Sequence, residues 1–257
     1  MTDRPPLIGI LGGMGPHAGL DLADKLIRLT RTTSDQDHLP FVLFSFPDKV
    51  ADRTAFLLGQ AEVNPAYAIA EQFETMSGMG VTIAAMACNT AHAAPIFDVV
   101  LGLLKEKRID LRILHMVRET VGRIRSAHPG VQRVGILATQ GTYQTGLYDD
   151  ALEDAGLQAI LPDPVIREEN IHAALYAPGV GIKACSGVVT EKAINKVRSA
   201  IYHLRDLGAE AVILGCTELP LAIKDHQVDG MPILDPASIV AEILIRETFP
   251  EKLLLPG

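Results

Sequence analysis

Residues 8–15, IGILGGMG, correspond to residues 134–141, VGILATQG: each is an apolar run that ends in small and polar residues. A second pair of similar segments lies downstream, VTIAAMACNTAHA around Cys88 and EAVILGCTELPL around Cys216. The first pair is offset by 126 residues and the second by 128. Such similar offsets predict a duplicated unit with one cysteine in each half.

Strand-like apolar runs alternate with amphipathic helical patterns along the chain. The predicted strands are PLIGILGG, FVLFSF, VTIAAMA, LRILHM, RVGILAT, LQAILP and AEAVILGC, and MPILDPASIVAEILIRE adds a strand and a helix. Asn64 and Pro65 are expected at the N-cap and first position of one helix, and Gly208 at the C-cap of another. This alternation predicts an α/β fold of mainly parallel sheets flanked by helices. We expect two domains, residues 1–114 with 232–257 and residues 115–231.

Composition excludes several classes of protein. At 257 residues and 48% hydrophobic content, the chain is typical of a globular protein of two domains. A net charge of −8 without a basic stripe disfavours nucleic acid or an anionic membrane as a partner. The sequence has neither a signal-peptide pattern nor an apolar run of about 18 residues, so we expect a cytoplasmic protein. The three cysteines are expected to be free thiols, with Cys185 a small buried residue.

Both cysteine motifs follow predicted strands, where ligands bind in open parallel sheets. Cys88-Asn89-Thr90 is expected to open a helix, whose N-terminal N–H groups bind carboxylates and lower the pKa of a thiol. Asn89 and Thr90 add side-chain donors. In Cys216-Thr217-Glu218, the acid could orient Cys216, accept its proton, or simply favour a helix N-terminus.

Other chemistries have weaker support in the sequence. Gly13, Gly15 and Ala18 fit a nicotinamide fingerprint, but a tight glycine turn explains them better. His92 lies four residues after Cys88, yet a lone histidine is more often structural. A hydrolytic Cys-His-Asp triad would leave the second cysteine unexplained. No residue spacing is typical of a metal site.

In this order and spacing, the motifs resemble the aspartate/glutamate racemase superfamily, and aspartate racemases most closely. The resemblance is carried by IGILGGMGP, ADRTAFLLG (51–59), MACNTAH (86–92), GILATQGT (135–142), GIKACSG (181–187), GCTELPL (215–221) and ILDP (233–236). It implies two pseudo-symmetric Rossmann-like domains, an active site between them and a homodimer. It also implies a racemase that requires no cofactor, including pyridoxal phosphate, and no metal.

By this resemblance, the chain interconverts L- and D-aspartate by a 1,1-proton transfer between two bases. The implied catalytic residues are Cys88 and Cys216. The resemblance implies that Asn89, Thr90 and Thr217 bind the α-carboxylate and that Met14 and Thr139 or Thr142 line the site. It implies that Arg53 and Lys183 bind the side-chain carboxylate of the substrate. Asp52 and Glu218 are implied to support catalysis.

The chain departs from the family pattern near the implied side-chain pocket. Ala51 stands before Asp52-Arg53-Thr54 where a proline is usual, and the segment between Tyr176 and Lys183 is longer than usual. A racemase of glutamate, of several amino acids, or of hydantoins therefore stays an alternative. A non-catalytic two-lobed binding protein is a further one, although binding alone requires neither thiol.

Overall fold

The computed structural model describes residues 6–186 and 188–254. The strands are β1 (Leu7–Leu11), β2 (Phe41–Phe44), β3 (Val81–Met86), β4 (Arg112–Leu114), β5 (Arg133–Ala138), β6 (Gln158–Ile160), β7 (Ala211–Gly215), β8 (Gln227–Val228) and β9 (Met231–Leu234). The helices are α1 (Pro16–Arg28), α2 (Arg53–Leu57), α3 (Ala66–Gly78), α4 (Ala94–Glu106), α5 (Met116–Ala127), α6 (Gln140–Gln144), α7 (Leu147–Asp154), α8 (Pro164–Ile166), α9 (Ala173–Tyr176), α10 (Glu191–Asp206), α11 (Leu219–Ala222) and α12 (Pro236–Thr248).

The strands form two sheets with corresponding orders. The first sheet is parallel throughout, in the order β2-β1-β3-β4. The second has the order β6-β5-β7-β9-β8, and only its edge strand β8 is antiparallel. In both, the first strand of the repeat (β1 or β5) lies beside the strand that leads to a cysteine (β3 or β7). The predicted α/β class of two mainly parallel sheets flanked by helices is confirmed.

Matching glycines show why the two halves share a sequence pattern. A Cβ at Gly9 of β1 would lie 2.8 Å from Val81 Cγ1, and one at Gly135 of β5 would lie 2.9 Å from Leu204 Cδ1. Real Cβ atoms do not approach other atoms so closely, so each glycine allows dense packing against its strand. The five residues of β7 are all buried, as expected for a strand covered on both faces.

Three helices join the two sheets through a common apolar core. Side chains of α1, α5 and α12 pack in one cluster with residues of β1, β5 and β7. Within this layer, Lys25 of α1 contacts Asp21 of its own helix and lies 2.6 Å from Asp235, the N-cap of α12. The halves are therefore held together by apolar packing and by a largely buried ion pair.

The chain after residue 230 contributes to both halves. Strand β9 pairs with β7 of the second sheet, whereas α12 packs against α1 of the first half. The predicted domain boundaries stay a prediction, although residues 232–234 hydrogen bond within the second sheet. The expected caps are shifted by one residue: Pro65 is the N-cap of α3, and Gly208, at φ 90°, follows the C-cap Leu207.

Helices long and apolar enough to cross a membrane are absent from residues 6–186 and 188–254.

Candidate active site

The two predicted catalytic cysteines follow equivalent strands of the two sheets, β3 and β7, and line the same cavity. Cys88 comes two residues after β3 and Cys216 directly after β7, and both are buried. The cavity has a volume of about 40 Å³. Its walls also contain Met14, Asp52, Arg53, Thr54, Asn89, Thr90, Thr139, Tyr176, Lys183, Thr217 and Glu218. The structure thus brings together every predicted site residue except Thr142, which lies directly behind this wall.

The cysteine motifs do not open long helices, contrary to the expectation from the sequence. Thr90–His92 form a single 3₁₀ turn, and α4 begins only at Ala94. Pro95 explains the interruption, because proline lacks an N–H group and cannot continue a helix that starts at the motif. After Cys216, α11 has only four residues. Activation of the thiols by a helix dipole is therefore much weaker than the sequence suggested.

Asn89 presents an oriented amide in the cavity. The Tyr148 hydroxyl donates a hydrogen bond of 2.6 Å to Asn89 Oδ1. Asn89 Nδ2 is buried and has no partner among the described residues. Because Tyr148 belongs to the second half, the opposing domain fixes the orientation of a first-half donor. The free N–H groups are suited to a carboxylate ligand.

Three threonine hydroxyls connect the halves beside this amide. Thr90 Oγ1 lies 3.1 Å from both Thr139 Oγ1 and Thr142 Oγ1, and the last two are also 3.1 Å apart. Thr217 Oγ1 donates a 3.3 Å hydrogen bond to the carbonyl oxygen of Ala87, next to Cys88. Thr142 consequently supports the other threonines without lining the cavity.

Arg53 is held by backbone oxygens alone. Its Nη2 donates to Met14 O at 2.6 Å and its Nη1 to Ala51 O at 3.0 Å, while buried Nε has no partner among the described residues. Asp52 acts as the N-cap of α2, since its Oδ1 accepts a 2.7 Å hydrogen bond from Ala55 N. Among the described residues, Arg53 therefore makes hydrogen bonds to backbone oxygens and no ion pair with a carboxylate.

Lys183, Glu218 and Cys216 form a chain of contacts. Lys183 Nζ donates to Glu218 Oε1, and Glu218 Oε2 accepts from Cys216 Sγ at 3.1 Å. Burial and the Glu218 carboxylate raise the pKa of the Cys216 thiol well above its ordinary value, against the opposite effect of Lys183. Burial opposes the charge of Lys183, whereas the charge of Glu218 and its hydrogen bond to the amine favour it, and the pKa of Lys183 is raised. The Lys183–Glu218 pair is thus charged and nearly buried.

The family model for Asp/Glu/Hydantoin racemase matches residues 11–244, which include all of these residues. The chain belongs to this family. The broad-specificity amino-acid racemase RacX of Bacillus subtilis is 27% identical over 241 residues, 92% of this chain and 95% of RacX. Picrophilus torridus aspartate racemase superimposes with a TM-score of 0.79 at 27% identity, covering 97% of this chain and 96% of its own. The Pyrococcus horikoshii aspartate racemase homologue has a TM-score of 0.69 at 25% identity, covering 94% and 98%.

Two lining residues of this racemase-family member were missed by sequence reasoning. Thr54 directly follows Arg53 in the motif ADRTAFLLG, so its place in that motif was the available signal. Tyr176 ends a helical segment that contains a π-helical turn at Arg167–His172, a distortion frequent near functional sites. Burial, with the Glu218 carboxylate acting in the same direction, raises the pKa of Tyr176, which is therefore a neutral phenol.

His92 has the structural role that the sequence favoured. It is buried, with Nδ1 2.9 Å from Cys88 O and Nε2 3.3 Å from Leu114 O. Burial and the neighbouring His115 lower its pKa to about 3, so the imidazole is neutral. Its single N–H, assigned to the shorter contact, anchors the Cys88 carbonyl. Cys185 is half-buried and does not line the cavity.

Gly15, which belongs to the pattern that resembles a nicotinamide fingerprint, and its repeat counterpart Gly141 have another use in this family member. A Cβ at Gly15 would lie 2.8 Å from Glu218 Oε1, and one at Gly141 would lie 3.0 Å from Thr54 Cα. These glycines occupy matching positions in the repeat, and each makes room for a site residue of the other half. A carboxylate beside Gly15 would also repel a dinucleotide pyrophosphate. Within residues 6–186 and 188–254, groups of three or more His, Cys, Asp and Glu able to hold a metal ion are absent.

Proposed function

We propose that the chain is an amino-acid racemase that interconverts L- and D-aspartate without pyridoxal phosphate or another cofactor. The observation that carries this proposal is the pair of buried cysteines, one from each half, that line a single cavity beside unpartnered donors. Two bases on opposite sides of an α-carbon allow removal of a proton on one face and its replacement on the other.

The proposed step moves two protons. One cysteine, as thiolate, removes the α-proton, and the electron pair of the C–H bond delocalises into the carboxylate. The other cysteine, as thiol, then donates its proton to the opposite face of the α-carbon. We assign the stabilisation of the extra charge on the carboxylate to Asn89 Nδ2 and the Thr90 hydroxyl, with the Thr217 hydroxyl joining them if it turns away from the Ala87 carbonyl. Hydrogen bonds that strengthen as this charge develops lower the barrier.

The far end of the substrate is assigned mainly to Arg53. Its guanidinium carries an unpartnered Nε and makes no ion pair with a carboxylate of the described residues, so an anionic substrate side chain would complete its contacts. Lys183 differs, because Glu218 already neutralises it. A carboxylate would bind Lys183 only by competing with Glu218, so the preference for aspartate rests on Arg53.

The cavity must open before catalysis. A volume of about 40 Å³ has room for only a few water molecules. A larger cavity of about 350 Å³ shares Met14, Arg53, Lys183 and Glu218 with the inner one. We propose that substrate enters by this route, past the Arg53 and Lys183 side chains, which then close over it.

Racemisation of several amino acids is the second candidate, supported by the similarity to RacX over 92% of the chain. Glutamate and hydantoins stay further alternatives. The non-catalytic binding protein has less support, because two buried thiols on one cavity contribute little to binding alone. A homodimer, a cytoplasmic location and the proposed domain boundaries stay predictions.

A panel of substrates tests the proposal. The purified protein, without added cofactor, is incubated with each enantiomer of aspartate, glutamate, alanine and arginine and with a 5-substituted hydantoin, and products are separated on a chiral column. We expect aspartate to racemise fastest. Comparable rates for neutral and acidic amino acids would favour broad specificity, and no racemisation of any compound would contradict the proposal.

Arg53→Ala sharpens the result for the substrate side chain. Loss of a charge-assisted hydrogen bond should lower kcat/KM for aspartate about tenfold to a hundredfold, with a smaller effect on alanine. Arg28→Ala, which removes an exposed arginine of α1, is the control and should leave kcat/KM unchanged for both substrates. An equal effect of Arg53→Ala on both amino acids would remove Arg53 from the side-chain pocket.

A further inference from the structure

The two cysteine loops differ in charge at equivalent positions. Two residues after Cys88 the chain has Thr90, a neutral residue whose hydroxyl contacts Thr139 and Thr142. Two residues after Cys216 it has Glu218, whose Oε2 lies 3.1 Å from Cys216 Sγ. The repeat thus gives each half a thiol, but only the second thiol touches a carboxylate two residues along the chain.

The Glu218 carboxylate is fixed on both sides. One oxygen contacts Cys216, while the other accepts from Lys183 and occupies the space that a Cβ at Gly15 would fill. Glu218 is itself buried, at 3% exposure, so it has little freedom to turn away from the sulfur. Its position is defined by contacts from both halves of the protein.

We propose that Glu218 is a positioning residue that keeps Cys216 protonated in the free enzyme, so that Cys88 supplies the thiolate. The inference rests on the proposed function, in which these cysteines are an acid and base pair. It assigns different resting states to two residues that the repeat makes equivalent. Glu218 would act through Cys216, without contact with the reacting carbon.

Charge explains the assignment. The Cys216 S–H group donates to a carboxylate, and ionisation would place a thiolate 3.1 Å from that negative oxygen. The other titratable groups around Cys216 are those that line the same cavity, together with two nearby phenols: Asp52, Arg53, Cys88, Lys183, Tyr176, Tyr143 and Tyr148. Burial raises the pKa of each phenol, so all three are neutral. Of the two cations that line the cavity, Lys183 is already paired with Glu218, and Arg53 donates to the backbone oxygens of Met14 and Ala51.

The assignment has a kinetic consequence. The enantiomer whose α-proton faces Cys88 binds a form of the enzyme that is ready to react, whereas the other requires the proton to move between the cysteines. Because the equilibrium constant of racemisation is one, kcat/KM must be equal for both enantiomers. The asymmetry therefore appears as a lower KM and a proportionately lower kcat for the enantiomer deprotonated by Cys88.

The test is the pH dependence of thiol alkylation in the full-length protein. Iodoacetamide labelling is followed for the Cys88 and Cys216 peptides by mass spectrometry from pH 5 to pH 11. Midpoints are compared instead of rates at one pH, because a thiol of lower pKa is also a weaker nucleophile. In the unmodified sequence we expect the Cys88 midpoint to lie at least about one pH unit below that of Cys216.

Glu218→Gln removes the charge and keeps the shape of the side chain. We expect it to lower the Cys216 midpoint by about one pH unit or more and to change the Cys88 midpoint much less. Asp52→Asn, which neutralises another acid of the same cavity, is the control and should leave the midpoint of Cys216 alkylation unchanged. If Glu218→Gln does not fold with Lys183 unpaired, the double variant Glu218→Gln with Lys183→Met removes both charges and should still lower the Cys216 midpoint.

Coincident midpoints of Cys88 and Cys216 in the unmodified sequence would overturn the inference. So would an unchanged or higher Cys216 midpoint in Glu218→Gln, or an equal shift in Asp52→Asn. Alkylation needs no turnover, so its outcome is independent of the substrate panel. Racemisation with coincident midpoints would contradict the role of Glu218 alone, whereas separated midpoints without racemisation would contradict the proposed function.

Discussion

The loops around Cys88 and Cys216 are equivalent in fold but differ in how they are stabilised. The Cys88 carbonyl is anchored by the neutral imidazole of His92, and Asn89 by the Tyr148 hydroxyl. The Cys216 carbonyl instead accepts a backbone hydrogen bond of 2.9 Å from Leu219, and the next contact of this loop is the ion pair of Glu218 with Lys183. One loop is built from neutral donors and the other from charges.

This difference shows how a symmetric scaffold supports an asymmetric task. The matching sheet orders place the two sulfurs at one cavity, but a racemase needs one thiol and one thiolate at any moment. The neutral loop is suited to binding a carboxylate, whereas the charged loop is suited to setting the protonation of its cysteine. Symmetry thus provides the geometry, and the side chains after each cysteine provide the distinction.

Replacing either cysteine by serine should have the largest effect. A serine hydroxyl is far less acidic than a thiol, so Cys88→Ser and Cys216→Ser should each lower the racemisation rate at least about a thousandfold. Chiral chromatography of aspartate measures the loss. Cys185→Ser, which alters the thiol outside the cavity, is the matched control and should retain activity. Full activity in Cys88→Ser or in Cys216→Ser would show that the two loops do not both supply a catalytic thiol.

The anchor of the first loop should make stability depend on pH. Folded His92 has a pKa of about 3, whereas an unfolded histidine titrates near 6.5, so unfolding takes up a proton below pH 6.5. Between pH 6.5 and pH 5 this costs about 2 kcal/mol of unfolding free energy, and half-buried His115, with a pKa of about 4, acts in the same direction.

The free energy of unfolding is measured by urea denaturation at pH 6.5 and at pH 5, for the His92→Gln variant and for the unmodified sequence. We expect the variant to lose about 2 kcal/mol less than the unmodified sequence on going to pH 5, while His226→Gln, an exposed histidine, serves as control. The same pH dependence in both proteins would mean that His92 is not held neutral in the fold.

The orientation of the Asn89 amide should affect kcat/KM for the substrate more than the stability of the fold. Tyr148→Phe removes the hydroxyl that donates to Asn89 Oδ1 and lets the amide rotate. We expect kcat/KM for aspartate to fall about tenfold, the equivalent of one lost hydrogen bond. Tyr202→Phe, on a half-buried tyrosine of α10, controls for loss of a phenol elsewhere. Unchanged kinetics in Tyr148→Phe would show that Asn89 needs no anchor from the other half.

The smallest effect is expected at Thr142, behind the cavity. Thr142→Val keeps the side-chain volume and removes one hydroxyl of the triangle with Thr90 and Thr139. The other two retain each other as partners, so kcat/KM should fall only about threefold, whereas Thr90→Val should cause a larger loss. Steady-state kinetics of both variants check this order, and equal losses would assign Thr142 to the cavity wall.

Much of the fold was predictable because its determinants are local. Apolar runs such as residues 211–215 are buried on both faces, and Gly9 and Gly135 occupy the same position within the equivalent strands β1 and β5. Parallel sheets place such strand ends together, so the meeting of Cys88 with Cys216 followed from the sequence. The family resemblance then added the surrounding residues.

The parts that were not predictable depend on distant side chains. Lys183 and Glu218 are separated by 35 residues, and no periodicity indicates that they pair. The same holds for Arg53, whose partners Met14 O and Ala51 O are backbone atoms with no sequence signature. Pro95, by contrast, was a readable signal that the helix could not begin at Cys88.

The most direct test of the two-base account is deuterium labelling at low conversion. One enantiomer of aspartate is incubated with the protein in deuterated water, the reaction is stopped before about 10% conversion, and α-deuterium is measured separately in substrate and product. Two cysteines on opposite faces should give a product that is fully deuterated and a remaining substrate that still carries protium. Equal deuterium in both enantiomers, or protium retained in the product, would mean that a single base serves both faces and would contradict the account.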